Sequence, residues 1–152
     1  MHGRHLTQHL GGVRLKDFAP VFTGIGIADS KGNRHPAEWD GLIDTGSSRT
    51  LIPLDVATDL RMTLSATRLL AGFGESGPMR SYPGYRVRLS IPGLPREFLL
   101  TACAVPNRNY ILLGRDFINQ HVLLIDGRAG TWAISRPSAF LRMALWCLGV
   151  RS

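Results

Sequence analysis

One carboxylate of this 152-residue chain, that of Asp44, lies between two apolar, β-prone runs, residues 42–43 and 50–52. The first run is typical of the end of a buried strand and the second of the start of the next, so the intervening Asp-Thr-Gly-Ser sequence predicts a tight polar turn. A buried carboxylate is costly unless it accepts hydrogen bonds. The turn offers donors in the hydroxyls of Thr45 and Ser47 and in the backbone around its glycine. A carboxylate held in this way is suited to general acid–base chemistry.

A second segment, Ile-Leu-Leu-Gly-Arg-Asp at residues 111–116, follows far along the chain. Its apolar residues predict a short buried strand over 110–113, and the next residues predict a short helix over 115–120. Gly114 stands between the two elements. Because it has no side chain, it allows the turn of Asp44 to pack closely against it.

Together these two segments resemble the two signature segments of retropepsin-like aspartic proteases. The first pairs an apolar run with Asp-Thr-Gly-Ser, the second an apolar run with Gly-Arg-Asp, and their order, spacing and strand context make the match specific. The resemblance runs from Phe22 to Ile134 and is to the small bacterial and retroviral-type members. It implies a single domain with one Asp-Thr-Gly turn and an active site that two copies of the chain build together.

Most of the chain shows the patterns of strands and turns. Strands are predicted over 21–28, 35–43, 63–71, 85–91, 96–105, 110–113, 121–125 and 131–135, and helices over 54–60 and 115–120. The predicted fold class is therefore all-β, a closed acid-protease barrel of one lobe with one or two short helices, in a homodimer. The predicted domains are an N-terminal arm over 1–16, either loose or an edge strand, a retropepsin-like aspartic protease domain over 17–136 and a C-terminal apolar helical tail over 137–152.

The resemblance also implies roles for individual residues. The catalytic residues are Asp44, Thr45 and Gly46, where Thr45 reaches the backbone of the partner copy and Gly46 offers backbone donors near the substrate. Substrate-binding residues are expected at Ser47, Ser48, Arg49, Gly72, Phe73 and Gly74. Structural support of the site is expected from Leu113, Gly114, Arg115 and Asp116.

Ser48 departs from the family pattern, in which an aspartate at this position commonly pairs with the arginine found here as Arg115. Arg115 therefore needs another partner, and the candidates are Asp116, Asp40 and a backbone carbonyl. The departure leaves dimer strength and substrate recognition open.

Two neighbours of Ser48 carry further expectations. Ser47 is expected to donate an additional hydrogen bond to the carboxylate of Asp44. Arg49 adds a positive charge beside the expected substrate groove, where it either favours acidic peptides or turns to solvent.

A glycine-rich stretch over 72–78, Gly-Phe-Gly-Glu-Ser-Gly-Pro, matches the Gly-x-Gly-x-x-Gly pattern of dinucleotide-binding sites. That pattern requires a helix opening at the glycines, whereas Pro78 and an alternating strand pattern follow here. The stretch therefore predicts a β-hairpin tip. In retropepsin-like proteases this hairpin is the flap, which closes over substrate, and an ordinary flexible hairpin is the alternative.

Length and charge limit the classes of function. With 44% hydrophobic residues, the chain can bury one core but is too short for the two lobes of a pepsin. The other Asp-Gly pair, at 126–127, predicts a hairpin turn, so a second catalytic carboxylate must come from a second chain. The net charge of +7 comes from arginines spread singly along the chain, which favours a solvated basic surface and no nucleic-acid partner.

Other features predict no cofactor and no membrane span. Cys103 lies in an apolar run and is expected to be a buried free thiol. The first residues hold no apolar core of signal-peptide length, which favours a cytoplasmic location, and the apolar stretch 139–150 is too short to span a bilayer. His2, His5 and His9 have helix-like spacing but lie beside glycines, so no metal site is predicted.

The leading functional hypothesis is a homodimeric aspartic endopeptidase that cleaves peptide or protein substrates with two copies of Asp44. The alternative is a non-catalytic dimeric module that binds peptides or other proteins on the same barrel. A third option is a monomer that becomes active only when two copies are brought together. The complete Asp-Thr-Gly sequence at 44–46 favours catalysis, because a binding module has no physical need for a buried carboxylate.

Overall fold

The computed structural model describes residues 20–70, 79–126, 128 and 131–135, together with the backbone of 2–3, 9–10 and 13–14. The strands in this part of the chain are β1 (His2–Gly3), β2 (His9–Leu10), β3 (Val13–Arg14), β4 (Val21–Asp29), β5 (Arg34–Ile43), β6 (Leu51–Pro53), β7 (Leu64–Leu70), β8 (Arg80–Ser90), β9 (Phe98–Val105), β10 (Ile111–Leu113), β11 (Val122–Asp126) and β12 (Thr131–Ser135). The helices are α1 (Leu54–Asp59) and α2 (Arg115–Ile118). The strands and helices predicted in this part of the chain are confirmed, with ends that mostly shift by one or two residues. The exception is β8, which begins at Arg80, five residues before its predicted start, because residues 80–84 pair with β7.

Six strands close into a barrel. In the main sheet the strand order is β4-β5-β10-β6-β9-β8-β7, and an additional pairing between β4 and β8 joins the two ends of the first six. The closing register sets Ile27 opposite Leu89 in antiparallel pairing. The fold class predicted from the sequence, an all-β closed barrel of one lobe with two short helices, is confirmed.

The barrel interior is filled by alternate residues of its strands, as expected where one face of a sheet is buried. Fully buried strand residues include Ile25, Ile27, Ile52, Val87, Leu89, Ile111 and Leu113, and Phe117 of α2 packs into the same core. Most are β-branched or leucine side chains, which suit a pleated surface. Each contributes about 1.5–3 kcal/mol by leaving water, so this interior is the main source of barrel stability.

The position of β10 decides how the site is built. This strand pairs in parallel with β5 and antiparallel with β6, so it lies between two strands that are consecutive in the sequence. The chain that leaves β5 at Ile43 must therefore pass over the end of β10 before it enters β6 at Leu51. This path brings the turn of Asp44 onto the residues that follow Leu113.

A second sheet has the order β1-β12-β11. His2 and Gly3 pair with residues of β12, which agrees with the edge-strand alternative for that part of the arm. The ring of Trp132 meets that of Phe22 edge to face at a centroid distance of 4.8 Å, so this sheet packs on the barrel core. The predicted tail 137–152 and Gly127 of the predicted turn lie outside the described residues.

Candidate active site

Asp44 is the first residue after β5 and is half-buried. Its backbone N–H donates to the carbonyl oxygen of Leu113 at 3.0 Å, and the N–H of Ile43 donates to that of Pro20 at 3.0 Å. These two bonds continue the pairing of β5 with β10 on one side and with β4 on the other. The carboxylate is therefore carried on the rigid end of a central strand and not on a free loop.

One oxygen of the carboxylate is occupied and the other is open. The backbone N–H of Gly46 donates to Asp44 Oδ1 at 2.8 Å, and the N–H of Ser47 donates to the carbonyl oxygen of Asp44 at 3.3 Å. Oδ2 has no hydrogen bond within the described part of the chain. A Cβ atom at Gly46 would lie only 3.1 Å from Oδ1, a tight contact with the carboxylate oxygen that this residue holds. The open oxygen can accept a proton or bind water.

Arg115 forms hydrogen bonds to the backbone of the Asp44 turn. Its Nη1 donates to the carbonyl oxygens of Thr45 at 3.1 Å and Gly46 at 3.3 Å, and its backbone N–H donates to that of Ser47 at 2.9 Å. Of the three partners considered for Arg115, the structure selects backbone carbonyls. Because these bonds join a cation to oxygens of the turn itself, they fix the turn without using the Asp44 carboxylate.

Thr50 and Asp116 form a link that the sequence did not predict. The Thr50 hydroxyl donates to Asp116 Oδ1 at 2.7 Å and its backbone N–H donates to Oδ2 at 3.0 Å, so both carboxylate oxygens are used. The N–H of Gly114 in turn donates to the Thr50 hydroxyl at 3.3 Å. Thr50 is completely buried. In the sequence, Thr50 is visible only as a threonine at the start of a predicted buried strand. Its pairing with Asp116 depends on the order of strands in the sheet, which the sequence pattern does not give.

Gly114 packs directly against the backbone of Arg49. A Cβ atom at Gly114 would overlap the carbonyl carbon and oxygen of Arg49 and lie 2.8 Å from its nitrogen. The expected close approach of the turn at this glycine is therefore confirmed. Together with Arg115 and Asp116, it makes residues 113–116 the support on which the turn rests.

The remaining residues near the turn differ in their exposure. The Ser47 hydroxyl donates to the carbonyl oxygen of Arg49 at 2.7 Å, so the prediction that it donates to the Asp44 carboxylate is wrong. The hydroxyl has one proton, and the bend at 48–49 brings the Arg49 carbonyl closer to it. Thr45 and Ser48 are exposed and Arg49 is half-buried.

The predicted flap residues Gly72, Phe73 and Gly74 lie outside the described residues. The strands on either side of them are paired, with Leu70 opposite Arg80 at the last described position. The segment 71–79 therefore connects two antiparallel strands, as a hairpin requires.

Cys103 is fully buried and free, as expected. Burial raises the pKa of its thiol. Among the described residues, no group of three or more histidine, cysteine, aspartate or glutamate side chains could hold a metal ion. No helix in the described part of the chain is long and apolar enough to cross a membrane.

Comparison with known proteins gives matches among solved structures. No protein-family model matches the chain, and no curated protein matches it. A retropepsin-like aspartic protease from Rickettsia conorii is 15% identical, with a TM-score of 0.47, over 78% of this chain and 94% of that one. The EIAV protease complexed with the inhibitor HBY-793 is 17% identical, with a TM-score of 0.42, over 70% of this chain and 90% of that one.

A third match is the foamy viral protease-reverse transcriptase in complex with an RNA/DNA hybrid, 15% identical with a TM-score of 0.46 over 64% of this chain. The chain spans only 12% of that larger protein. All three structures are similar to the chain at low sequence identity. The function proposed below rests on the geometry of the Asp44 turn.

Proposed function

We propose that this chain is an aspartic endopeptidase that works as a homodimer with one Asp44 from each copy. The observation that carries the proposal is the half-buried Asp44 carboxylate, which has one oxygen held by Gly46 and the other open. A structural aspartate is expected to use both oxygens, as Asp116 does with Thr50. An open oxygen on a rigid strand end is what general acid–base chemistry needs.

The second carboxylate of the proposed pair comes from a second copy. Within the described residues, the Asp-Thr-Gly sequence of 44–46 occurs once, and the hydrogen bond to the Asp44 carboxylate comes from Gly46 and not from another acid. Two such carboxylates facing each other cannot both ionise easily, so we expect the pair to share one proton. One member is then a base and the other an acid at the same time.

The proposed reaction uses both members of the pair. The ionised carboxylate takes a proton from water while the water oxygen bonds to the scissile carbonyl carbon, and the protonated carboxylate gives its proton to the carbonyl oxygen. In the second half, the proton gained by the first carboxylate moves to the amide nitrogen as the carbon–nitrogen bond breaks. The tetrahedral oxygen returns its proton to the second carboxylate, so the pair ends in its starting state.

Fixing the turn would place these groups before substrate arrives. Arg115 binds the carbonyls of Thr45 and Gly46, and Asp116 binds Thr50 on the far side of the turn. A displacement of about 1 Å at a catalytic group can cost about 10²-fold in rate. Residues 113–116 are therefore proposed as positioning residues for the dyad.

Other parts of the chain take the roles implied by the resemblance. Ser47, Ser48 and Arg49 are proposed to border the substrate, and the segment around Gly72, Phe73 and Gly74 to close over it as a flap. The protease domain is proposed over 17–136, with an arm before it and a tail after it, in a protein of the cytoplasm.

The test is cleavage of an unbiased peptide mixture by the purified chain and by its Asp44→Asn variant, from acid to neutral pH. We expect a loss of about 10²–10⁴-fold in the variant, as for removal of a general acid or base. Asp55→Asn is the matched control, since Asp55 is an exposed aspartate in the first turn of α1. Equal cleavage by the parent chain and Asp44→Asn would contradict the proposal.

A mixing experiment tests the two-copy site separately. The parent chain is co-refolded with an excess of Asp44→Asn, so that most parent chains enter mixed dimers with one intact aspartate. Only parent homodimers should then be active, and activity per total chain should fall with the square of the parent fraction. A linear fall would instead indicate a site within one chain. If the parent chain forms dimers but cleaves nothing, the peptide-binding module becomes the better description.

A further inference from the structure

A row of paired residues crosses the barrel on the side that carries Asp44. Leu42 of β5 lies opposite Leu112 of β10, Leu112 opposite Leu51 of β6, and Leu51 opposite Cys103 of β9. Side chains of residues paired in this way extend from the same side of a sheet. Asp44 follows Leu42 by two residues, so its side chain shares that side.

This row forms an apolar cluster separate from the barrel core. We call it the outer cluster: Leu51, Cys103 and Leu112 are buried in it, and the half-buried Leu70, Tyr82, Val105 and Tyr110 pack against them. Leu70 and Tyr82 belong to the strands that carry the proposed flap. The outer cluster therefore extends from beside the Asp44 turn to the base of that hairpin, as an apolar wall along one side.

Arginines border the outer cluster. On β7, Arg68 lies opposite Tyr82, and on β8, Arg80 lies opposite Leu70, so both arginines share the side of the cluster. Arg49 is half-buried and precedes Leu51 by two residues. None of the three has an acidic side chain within ion-pair distance in the described part of the chain, where the ion pairs involve Arg34 and His35.

The same charges affect the pKa of the Cys103 thiol. Burial raises the pKa of Cys103, the positive charge of Arg49 opposes this rise, Asp116 adds to it, and Arg68 opposes it more weakly. Both arginines therefore lie close enough to act on a group inside the outer cluster.

Within the described residues, no acid on this side forms an ion pair with these arginines. Asp116 is held by Thr50, Asp44 is the proposed catalytic group, and within the described residues Asp40 forms no ion pair with any of these arginines. Arg49 and Arg68 thus leave positive charge beside an apolar surface.

We propose that this side of the molecule selects peptides that carry an acidic residue next to apolar ones, with the carboxylate of the peptide between Arg49 and Arg68 and its apolar side chains on the outer cluster. The inference rests on the proposed function, because it takes the side of Asp44 as the side that meets substrate. An acidic peptide gains attraction to two arginines that have no ion-pair partner among the described residues, whereas a basic peptide is repelled.

Binding can be tested separately from cleavage. All proteins carry Asp44→Asn, so that bound peptide stays intact, and fluorescence anisotropy measures their affinity for short labelled peptides of apolar residues. Each peptide contains one glutamate at a varied position and is compared with its glutamine twin. We expect the best glutamate peptide to bind about fivefold more tightly than its twin, a difference typical of an accessible ion pair, and to lose this advantage as salt is raised.

The variants Arg49→Gln and Arg68→Gln should each reduce that advantage. Arg96→Gln is the matched control, since Arg96 is exposed in the turn between β8 and β9, at the opposite end of β8 from Tyr82, and should leave the advantage intact. Equal binding of both twins, no binding of either, or the same loss in Arg96→Gln would overturn the inference. If the advantage holds while the chain with Asp44 intact cleaves none of the peptides, the acidic-peptide site stands and the proposed peptidase activity fails.

Discussion

Two tight turns of this molecule begin with an aspartate, and they are held in opposite ways. Asp29 opens the turn between β4 and β5, where its Oδ1 accepts from the backbone of Lys31 at 2.8 Å and of Asn33 at 2.9 Å, and its Oδ2 from the Asn33 side chain at 2.7 Å. Asp44 opens the turn between β5 and β6, and within the described residues its carboxylate accepts one bond, from Gly46.

The difference shows how a carboxylate is kept available. The Asp29 turn is held by hydrogen bonds to its own carboxylate, and both oxygens of that carboxylate are used. The Asp44 turn is also held by Arg115 and by the contact of Gly114 with Arg49, and its own carboxylate contributes one oxygen, which accepts from Gly46. Support from a remote segment thus separates the shape of the turn from the chemistry of its aspartate.

Gly114→Ala should break this arrangement most severely. The new methyl group would meet the backbone of Arg49, which cannot move aside as a flexible side chain can. We expect a loss of about 3 kcal/mol in the free energy of unfolding, the upper range for overpacking, measured by urea denaturation.

Gly32→Ala in the Asp29 turn is the comparison for that variant. Gly32 has a positive φ of 96° but open space around its Cβ position, so strain alone should cost about 1 kcal/mol. An equal or smaller loss for Gly114→Ala would mean that the turn of Asp44 does not rest on the 113–116 segment.

Asp116→Asn should weaken the support by a smaller amount. An asparagine presents an NH2 group where the carboxylate now accepts from Thr50, leaving one buried donor without an acceptor. We expect a loss of about 2 kcal/mol in unfolding free energy, together with lower cleavage per folded molecule because the turn is less well fixed. Asp55→Asn removes an exposed charge from the first turn of α1, so it should cost less than about 1 kcal/mol and leave cleavage unchanged. Similar results for both variants would contradict the role given to Asp116.

Asp29→Asn should affect stability and its pH dependence but not cleavage. Burial alone would raise the pKa of Asp29, but the hydrogen bonds from Asn33, Lys31 and Gly32 outweigh it and lower that pKa below its ordinary value. A depressed pKa in the folded state gives stability that is present above the unfolded value and lost as the pH falls through the folded value.

Asp29→Asn should therefore lower the free energy of unfolding by about 1 kcal/mol near neutral pH, the value of an ordinary hydrogen bond. This loss should become smaller in acid. Denaturation at several pH values and cleavage per folded molecule are the measurements. A cleavage defect as large as that of Asp44→Asn would remove the distinction between the two turns.

Asp40→Asn should give the smallest effect, with the opposite sign. Burial raises the pKa of Asp40, so the protonated form is favoured by folding, and stability falls as the pH rises from the unfolded value through the folded one. The uncharged variant should melt at a slightly higher temperature than the parent chain near neutral pH and at a similar temperature in acid. A lower melting temperature at neutral pH would show that the charge of Asp40 has a stabilising partner.

Features that depend on neighbours in the sequence could be predicted from it. The Asp29 turn follows from Asp-Ser-Lys-Gly-Asn, since its bonds span two to four residues and Asp, Gly and Asn are the residues that such turns use. The alternation of apolar residues gave the barrel strands, and the Asp-Thr-Gly sequence gave the turn of Asp44. Gly114 was also predictable, because a glycine after a buried strand indicates a close backbone approach.

Partners far apart in the sequence were decided only by the tertiary structure. Arg115 had three candidate partners, and Thr50 with Asp116 had no visible link, because nothing in the local pattern tells which strand lies between β5 and β6. Once β10 takes that place, α2 begins directly under the turn, Arg115 meets carbonyl oxygens and Asp116 meets Thr50. Local chemistry thus set the turn of Asp44, while the order of strands in the barrel determined which residues support it.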